Sequence, residues 1–284
     1  MTDQAIPKRR VPTFPVLFQA GALAATVLLA LAARPWRQAA SAAVAAGVVR
    51  PLGVWDFLAA FAAVSVLIVV MLRWRLGSRV FAALFMLAVF LGAASLGWAL
   101  FGDVGAVVAF SAVVLIHYGY ARVWSFDLIL TIGLAGVALN LGQAMSAVGI
   151  AVILSVLSVY DLIAVYGTKH MVKMAQRLSD NGSPFALIVP VIPGQLRQRL
   201  SAVGGLKSGF LYLGTGDIVL PAILAVATSR AGFWAGLAVL IGALIGLTVN
   251  LVIFFLQERP RSMPALPLPA AGAILAFLAV YAII

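Results

Sequence analysis

The chain has 284 residues, of which 64% are hydrophobic and only 10% charged, and its mean hydropathy is +1.14. A soluble domain needs a polar shell that this composition cannot supply, so the chain is a multi-pass membrane protein. The net charge of +11 does not imply nucleic acid, because most basic residues lie between apolar runs, where they orient helices and meet anionic lipid headgroups; the absence of cysteine excludes disulfides, thiolate metal sites and a cysteine nucleophile.

A spanning helix takes about 20 mostly apolar residues, and nine segments qualify. The first, 12–33, follows Lys8, Arg9 and Arg10 and contains Ala30-Leu31-Ala32, which is like a signal-peptidase site. The run is too long for the apolar core of a signal peptide, and we read it as a retained span. An Ala-rich, weakly amphipathic loop at 34–53 leads into the second segment, 54–72. The next four are 79–101, 104–121, 126–145 and 147–167. A long connection follows at 168–207. Its first part, KHMVKMAQRL, can extend the sixth helix along the membrane surface. Its middle, PFALIVPVIPG, is β-prone and broken by Pro190 and Pro193. The last three segments are 208–229, 232–256 and 266–284. With no internal repeat or low-complexity linker, 1–284 reads as one all-α polytopic membrane domain. Helices 1–6 occupy about 12–167, a cytoplasmic loop 168–207, and helices 7–9 occupy 208–284.

Basic residues choose the orientation. With the N-terminus inside, the inner segments hold Lys8, Arg9, Arg10, Arg73, Arg75, Arg79, Arg122, Lys169, Lys173, Arg177, Arg197, Arg199, Lys207, Arg259 and Arg261. The outer segments hold Arg34, Arg37, Arg50 and Arg230. The excess of 15 over 4 places the N-terminus in the cytoplasm and, with an odd number of spans, the C-terminus outside.

Of eight acidic residues, only Asp161 and Asp217 fall well inside predicted spans. Asp127 lies just inside the fifth segment, near enough to its end to reach the interface. A carboxylate in a spanning helix costs roughly 2.5–3.5 kcal/mol on insertion scales and usually marks a function. Asp161 precedes Lys169 by eight residues, and Asp217 follows Lys207 by ten. At about 1.5 Å per residue, both lie on the order of 12–15 Å from the cytoplasmic ends of two consecutive antiparallel helices. Two such carboxyls, with no basic residue near their level, hold a single proton between them. That suits aspartic proteolysis: one takes a proton from water, while the other hydrogen-bonds the peptide carbonyl. The two roles can exchange, so they belong to the pair.

The surroundings fit this chemistry. Gly214 and Gly216 permit close approach of a neighbouring helix and loosen their own. Pro221 deprives the carbonyl of Asp217 of its helical partner, a gap tolerated in lipid where backbone faces protein or water. Pro264, Pro267 and Pro269 stand at the inner start of the last span. By composition alone they are helix-capping prolines; the functional alternative is a rigid stretch shaping a cleft beside the carboxyls.

Other polar residues read as structural. His117 and His170 lack acidic partners and make a poor metal site, so no metal is expected. There is no His-Glu-x-x-His of a zinc protease and no Gly-x-Ser-Gly of a rhomboid-like serine protease. Asn140, Gln143 and Asn250 are expected to hydrogen-bond between helices, and Gly242-x-x-x-Gly246 to pack helices within the chain. Tyr160 points about a third of a turn away from Asp161.

In three stretches the sequence resembles the presenilin and signal-peptide-peptidase family of intramembrane aspartyl proteases, and most of all its archaeal presenilin homologues. They are Tyr160-Asp161, Gly214-Thr215-Gly216-Asp217 and Pro264-Ala265-Leu266, in the family's order and on the helices where the family has them. The resemblance covers mainly 150–284; the first five spans agree more in number than in letters. It implies that Asp161 and Asp217 are the catalytic dyad, with Tyr160, Gly214, Thr215, Gly216, Pro264, Ala265 and Leu266 shaping the site or binding substrate. Substrates would be transmembrane-helix proteins or peptides that unwind before cleavage. An extended substrate piece would pair with a strand supplied by 185–192 or by the approach to Gly209.

No cofactor, nucleic acid or obligatory partner subunit is implied, and a homo-oligomer stays open. The expected location is the cell membrane. Thr215 departs from the family's usual larger apolar residue, so cleavage-site preference does not transfer. The charge bias favours the presenilin orientation over the inverted signal-peptide-peptidase one. The inner loop is short beside those of eukaryotic presenilins, so self-cleavage does not follow. A rival reading is a proton- or ion-coupled secondary transporter, since buried acids and broken helices also mark ion sites. A prepilin-peptidase-like enzyme shares Gly-x-Gly-Asp, but it explains neither nine spans nor Pro-Ala-Leu.

Overall fold

The computed structural model describes residues 12–33, 53–60, 62–63, 77–168, 186–200, 203, 209–257 and 263–283. The loop at 34–53 apart from Gly53, most of the second predicted span, the KHMVKMAQRL stretch and His170 lie outside them. Seven α-helices are labelled here: α1 (Thr13–Ala32), α2 (Gly77–Gly119), α3 (Val123–Ala144), α4 (Ala147–Leu162), α5 (Thr215–Thr228), α6 (Phe233–Leu256) and α7 (Pro267–Ile283). Residues 54–60 are also helical. Two strands, β1 (Ala186–Pro190) and β2 (Phe210–Gly214), pair antiparallel with Ile188 opposite Tyr212. Five helical stretches among the described residues are long and apolar enough to cross a bilayer.

α2 breaks where the sequence places a boundary. Gly102 has φ +68° and ψ −155°, which glycine alone adopts without strain. The arms fold back on each other: a Cβ on Gly97 would lie 2.3 Å from the carbonyl oxygen of Gly105, and Phe90 packs edge-on against Phe110 and His117. His117 is thus an aromatic packing partner. α3 lies equally close to α2; a Cβ on Gly136 would meet the Gly92 carbonyl oxygen at 1.7 Å. Where lipid tails are as apolar as the side chains, such backbone contact is a main source of helix adhesion.

α1 packs on α3, α5 and α6, with Leu23, Val27, Ala30 and Leu31 buried. Of the Ala30-Leu31-Ala32 stretch, Ala30 and Leu31 are buried in the core and Ala32 is exposed. α6 and α7 meet through Gly242, Gly246 and Gly272, so the Gly-x-x-x-Gly spacing packs helices within the chain, as the sequence suggests. Asn140 donates to Ser95 Oγ of α2 at 2.9 Å, as expected of an interhelical bond. Gln143 and Asn250 do not follow: both Gln143 side-chain polar atoms and Asn250 Oδ1 are buried without partners.

One predicted span needs correction. The segment 208–229 is not helical throughout: backbone over Phe210–Gly214 is a strand, and the helix starts only at Thr215. The segment 147–167 is helical along its length, α-helical to Leu162 and π-helical over Ile163–Thr168. Extended backbone at this level can persist because β1 and β2 satisfy each other's hydrogen bonds.

α3 and α5 run in the same direction. Near their first residues, Asp127 of α3 meets Ile188 of the sheet that leads into α5. At the far end, the Arg230 guanidinium after α5 donates to the terminal α3 carbonyls of Gly142, at 2.8 Å, and Gln143. A cation on the exposed carbonyls of a helix C-terminus is a stabilising cap.

Candidate active site

The three helices that carry the sequence motifs, α4, α5 and α7, pack against one another. Asp161 is the penultimate residue of α4 and is 9% exposed. Its Oδ2 accepts the Leu266 N–H at 3.3 Å, and the Ala265 backbone also donates to the carboxylate. The Leu266 carbonyl accepts from Ala270, which makes Leu266 the entry residue of α7. The Asp161 carboxylate thus sits on the positive end of α7, where free N–H groups and the helix dipole favour an anion. Pro264 and Leu266 are buried, and Ala265 is partly so. The prolines do begin a helix, and the backbone between them grips a carboxylate.

Asp217 occupies the first turn of α5 and is partly buried. Its carboxylate accepts a hydrogen bond from the Gly214 backbone, and the charges of Asp161 and Asp217 repel each other across the gap. An acidic residue reaching back to the N–H that precedes a helix is half of a capping box. Two carboxyls, each at the end of an α-helical segment, therefore face one locality where no cation stands among the described charge partners. The sequence placed both aspartates mid-helix at matching depths. Asp161 stands where α-helix passes into the π-helical turn, and Asp217 lies in the first turn of a helix that directly follows a strand.

The flanking glycines also differ from expectation. A Cβ on Gly214 would lie 2.8 Å from Asp217 Oδ2, and one on Gly216 would meet nothing within 4 Å. Neither permits helix–helix approach; Gly214 leaves room for the carboxylate beside it. Thr215 is the first residue of α5, and Pro221 is buried inside it, with the missing N–H facing the Asp217 carbonyl as expected. Tyr160 is 53% exposed, on a different side of α4 from Asp161.

Nothing in the sequence around Asp127 marks it for a role. It is buried in the protein at 4% exposure, and its Oδ1 accepts the Ile188 N–H at 2.9 Å. Its partner is 61 residues away in the chain, and no local pattern announces such a pairing. The β-prone stretch around Pro190 was visible in the sequence; its pairing with Phe210–Gly214 was not.

Residues 16–284 match the family model described as signal-peptide peptidase, presenilin aspartyl protease. Two crystal forms of a presenilin family intramembrane aspartate protease are similar in structure. The C222 form has a TM-score of 0.64 and 25% identity, covering 95% of this chain and 100% of that one. The P2 form has a TM-score of 0.63 and 24% identity, covering 94% and 98%. No curated protein is significantly similar in sequence. With its match running through nearly the whole length, this integral membrane chain belongs to the signal-peptide-peptidase and presenilin aspartyl protease family.

Proposed function

We propose that the chain is a Gly-x-Gly-Asp-type intramembrane aspartic endopeptidase, and that Asp161 and Asp217 carry the reaction. The observation behind this reading is the joint setting of the two acids. One is held by the Ala265 and Leu266 backbone, the other by Gly214, and the charge of Asp161 acts on Asp217. Two carboxyls so placed share one proton. The ionised member takes a proton from a water whose oxygen bonds to the scissile carbonyl carbon. The protonated member gives its proton to the carbonyl oxygen. As the C–N bond breaks, a proton passes to the leaving nitrogen and the shared-proton state returns. No metal or organic cofactor enters the scheme.

The substrate is a transmembrane helix, opened locally near the inner leaflet. A peptide bond inside a helix is shielded by its own hydrogen bonds, so an extended segment must form before water can attack. The β1–β2 pair ends at Gly214, three residues before Asp217, and supplies extended backbone along which such a segment can align. Gly214, Thr215, Gly216, Pro264, Ala265 and Leu266 shape this cleft, and Tyr160, next to Asp161 in the chain, completes the motif from an exposed side of α4.

The proposal includes one membrane domain of nine spans, with the N-terminus inside and the C-terminus outside, in the cell membrane. The excess of basic residues on one side supports it, as do the turn at Gly102 and the parallel course of α3 and α5.

The deciding experiment incubates purified protein in proteoliposomes with a membrane-helix peptide. Cleavage is expected for the wild type and should fall by at least about a hundredfold in both Asp161→Asn and Asp217→Asn, as befits loss of an acid–base partner. The rate should be bell-shaped in pH, with both limbs belonging to the pair. Proton-coupled solute uptake without cutting would replace this reading by a carrier.

A further inference from the structure

We infer that Asp127 is a positioning residue that holds the strand pair leading into Asp217. The activity part of this inference rests on the protease reading; the structural part does not. Asp127 lies one turn into α3 and is buried. Its Oδ1 takes the Ile188 N–H, while Oδ2 is buried with no partner. A second oxygen left bare in an apolar surround is unfavourable, and a hydrophobic residue would pack there more cheaply if adhesion were the only need.

The geometry gives the acid a specific task. In an antiparallel ladder, a residue's N–H and C=O point together, toward the paired strand or away from it. Because Ile188 spends its N–H on Asp127, that amide lies on the edge of β1 away from β2. Pro190, two residues on and of the same parity, has no N–H to offer. Asp127 and Pro190 leave no free N–H at these two positions of the outer edge, so at Ile188 the strand is bonded to α3 on the side away from β2.

A second tether fixes the same region. Val123 N–H donates to the Gln198 carbonyl at 3.1 Å, Leu200 N–H donates to the Ala121 carbonyl at 2.9 Å, and Arg122 bridges Arg199. The chain leaving β1 is thus pinned to the start of α3, four residues before Asp127. From there the path to the active site is short. Ile188 pairs with Tyr212, Gly214 ends β2, and Gly214 donates to the Asp217 carboxylate. Asp127 sets the strand, the strand sets Gly214, and Gly214 sets the carboxylate.

The test compares three variants of the full chain in detergent micelles and in proteoliposomes. Asp127→Ala removes the acceptor. Asp127→Leu removes it while filling the volume, which guards against collapse of the site. Asp127→Asn keeps an oxygen for Ile188. Amide hydrogen exchange at 186–190 and 210–214 should quicken about tenfold or more in the Ala and Leu variants, as expected when one buried hydrogen bond is lost, and stay near wild type in Asn. For cleavage of a membrane-helix peptide, kcat should fall about tenfold in Ala and Leu with KM nearly unchanged, and Asn should restore it. Exchange in Ala and Leu that matches wild type overturns the inference, as does an Asn variant as loose as Leu. A wild type that cuts nothing would sink the protease reading alone, since the exchange comparison still decides the role of Asp127.

Discussion

The residue that best separates stability from chemistry is Gly214. Its φ of −57° and ψ of 138° suit any amino acid, so alanine meets no backbone strain. The added Cβ would instead press on Asp217 Oδ2 at 2.8 Å. A side-chain end can swing away, so the fold survives while the carboxylate is displaced. We expect Gly214→Ala to lower kcat about tenfold to a hundredfold, the usual cost of misplacing a reacting group by about 1 Å. Its midpoint of thermal unfolding should stay within a few degrees of wild type; a large drop in that midpoint would show that the glycine serves the fold instead. Gly216 makes the control. Its Cβ would meet open space, and alanine inside a first helical turn favours the helix, so Gly216→Ala should melt no lower than wild type.

Among the elements, α2 adheres to α3 by backbone contact, and α5 is tied to α3 by a charged cap. Gly136 is the tightest of the contacts between α2 and α3, because its neighbour is the rigid carbonyl of Gly92 and not a flexible side chain. Gly136→Ala should force the pair apart and cost about 1–3 kcal/mol in detergent unfolding, the range for an overpacked core. A neutral result would mean that the two helices separate freely. Arg230 ties α5 to the last carbonyls of α3. Arg230→Ala should cost about 1 kcal/mol, the scale of a helix-terminus charge, with cleavage unchanged because the cap lies at the opposite end of α5 from Asp217.

For the whole molecule, the expected topology can be read by labelling, since the chain has no native cysteine. Trp234, 77% exposed at the start of α6, should react as Trp234→Cys with an impermeant maleimide added outside intact cells. Arg197, exposed after β1, should react as Arg197→Cys only once the membrane is opened. The reverse pattern would invert the molecule and put the two aspartates near the outer leaflet.

What the sequence determined by itself is what lipid judges segment by segment. An apolar run of sufficient length meets no penalty in the bilayer whatever its neighbours do, so α1, the boundary near residue 102 and the long helices α3 and α6 were legible from hydropathy and length. Asp161 and Asp217 were legible for the complementary reason: a carboxylate in such a run is costly, and nothing local offsets it. Tertiary structure decided everything that depends on a remote partner. Apolar residues 210–214 suit a helix as well as a strand, and only pairing with 186–190 selects the strand. Asp161 meets a backbone amide 105 residues away, and Asp127 one 61 residues away. Hydrogen bonds of that reach leave no periodicity in the chain, because their partners are chosen by how the helices pack and not by spacing along the sequence.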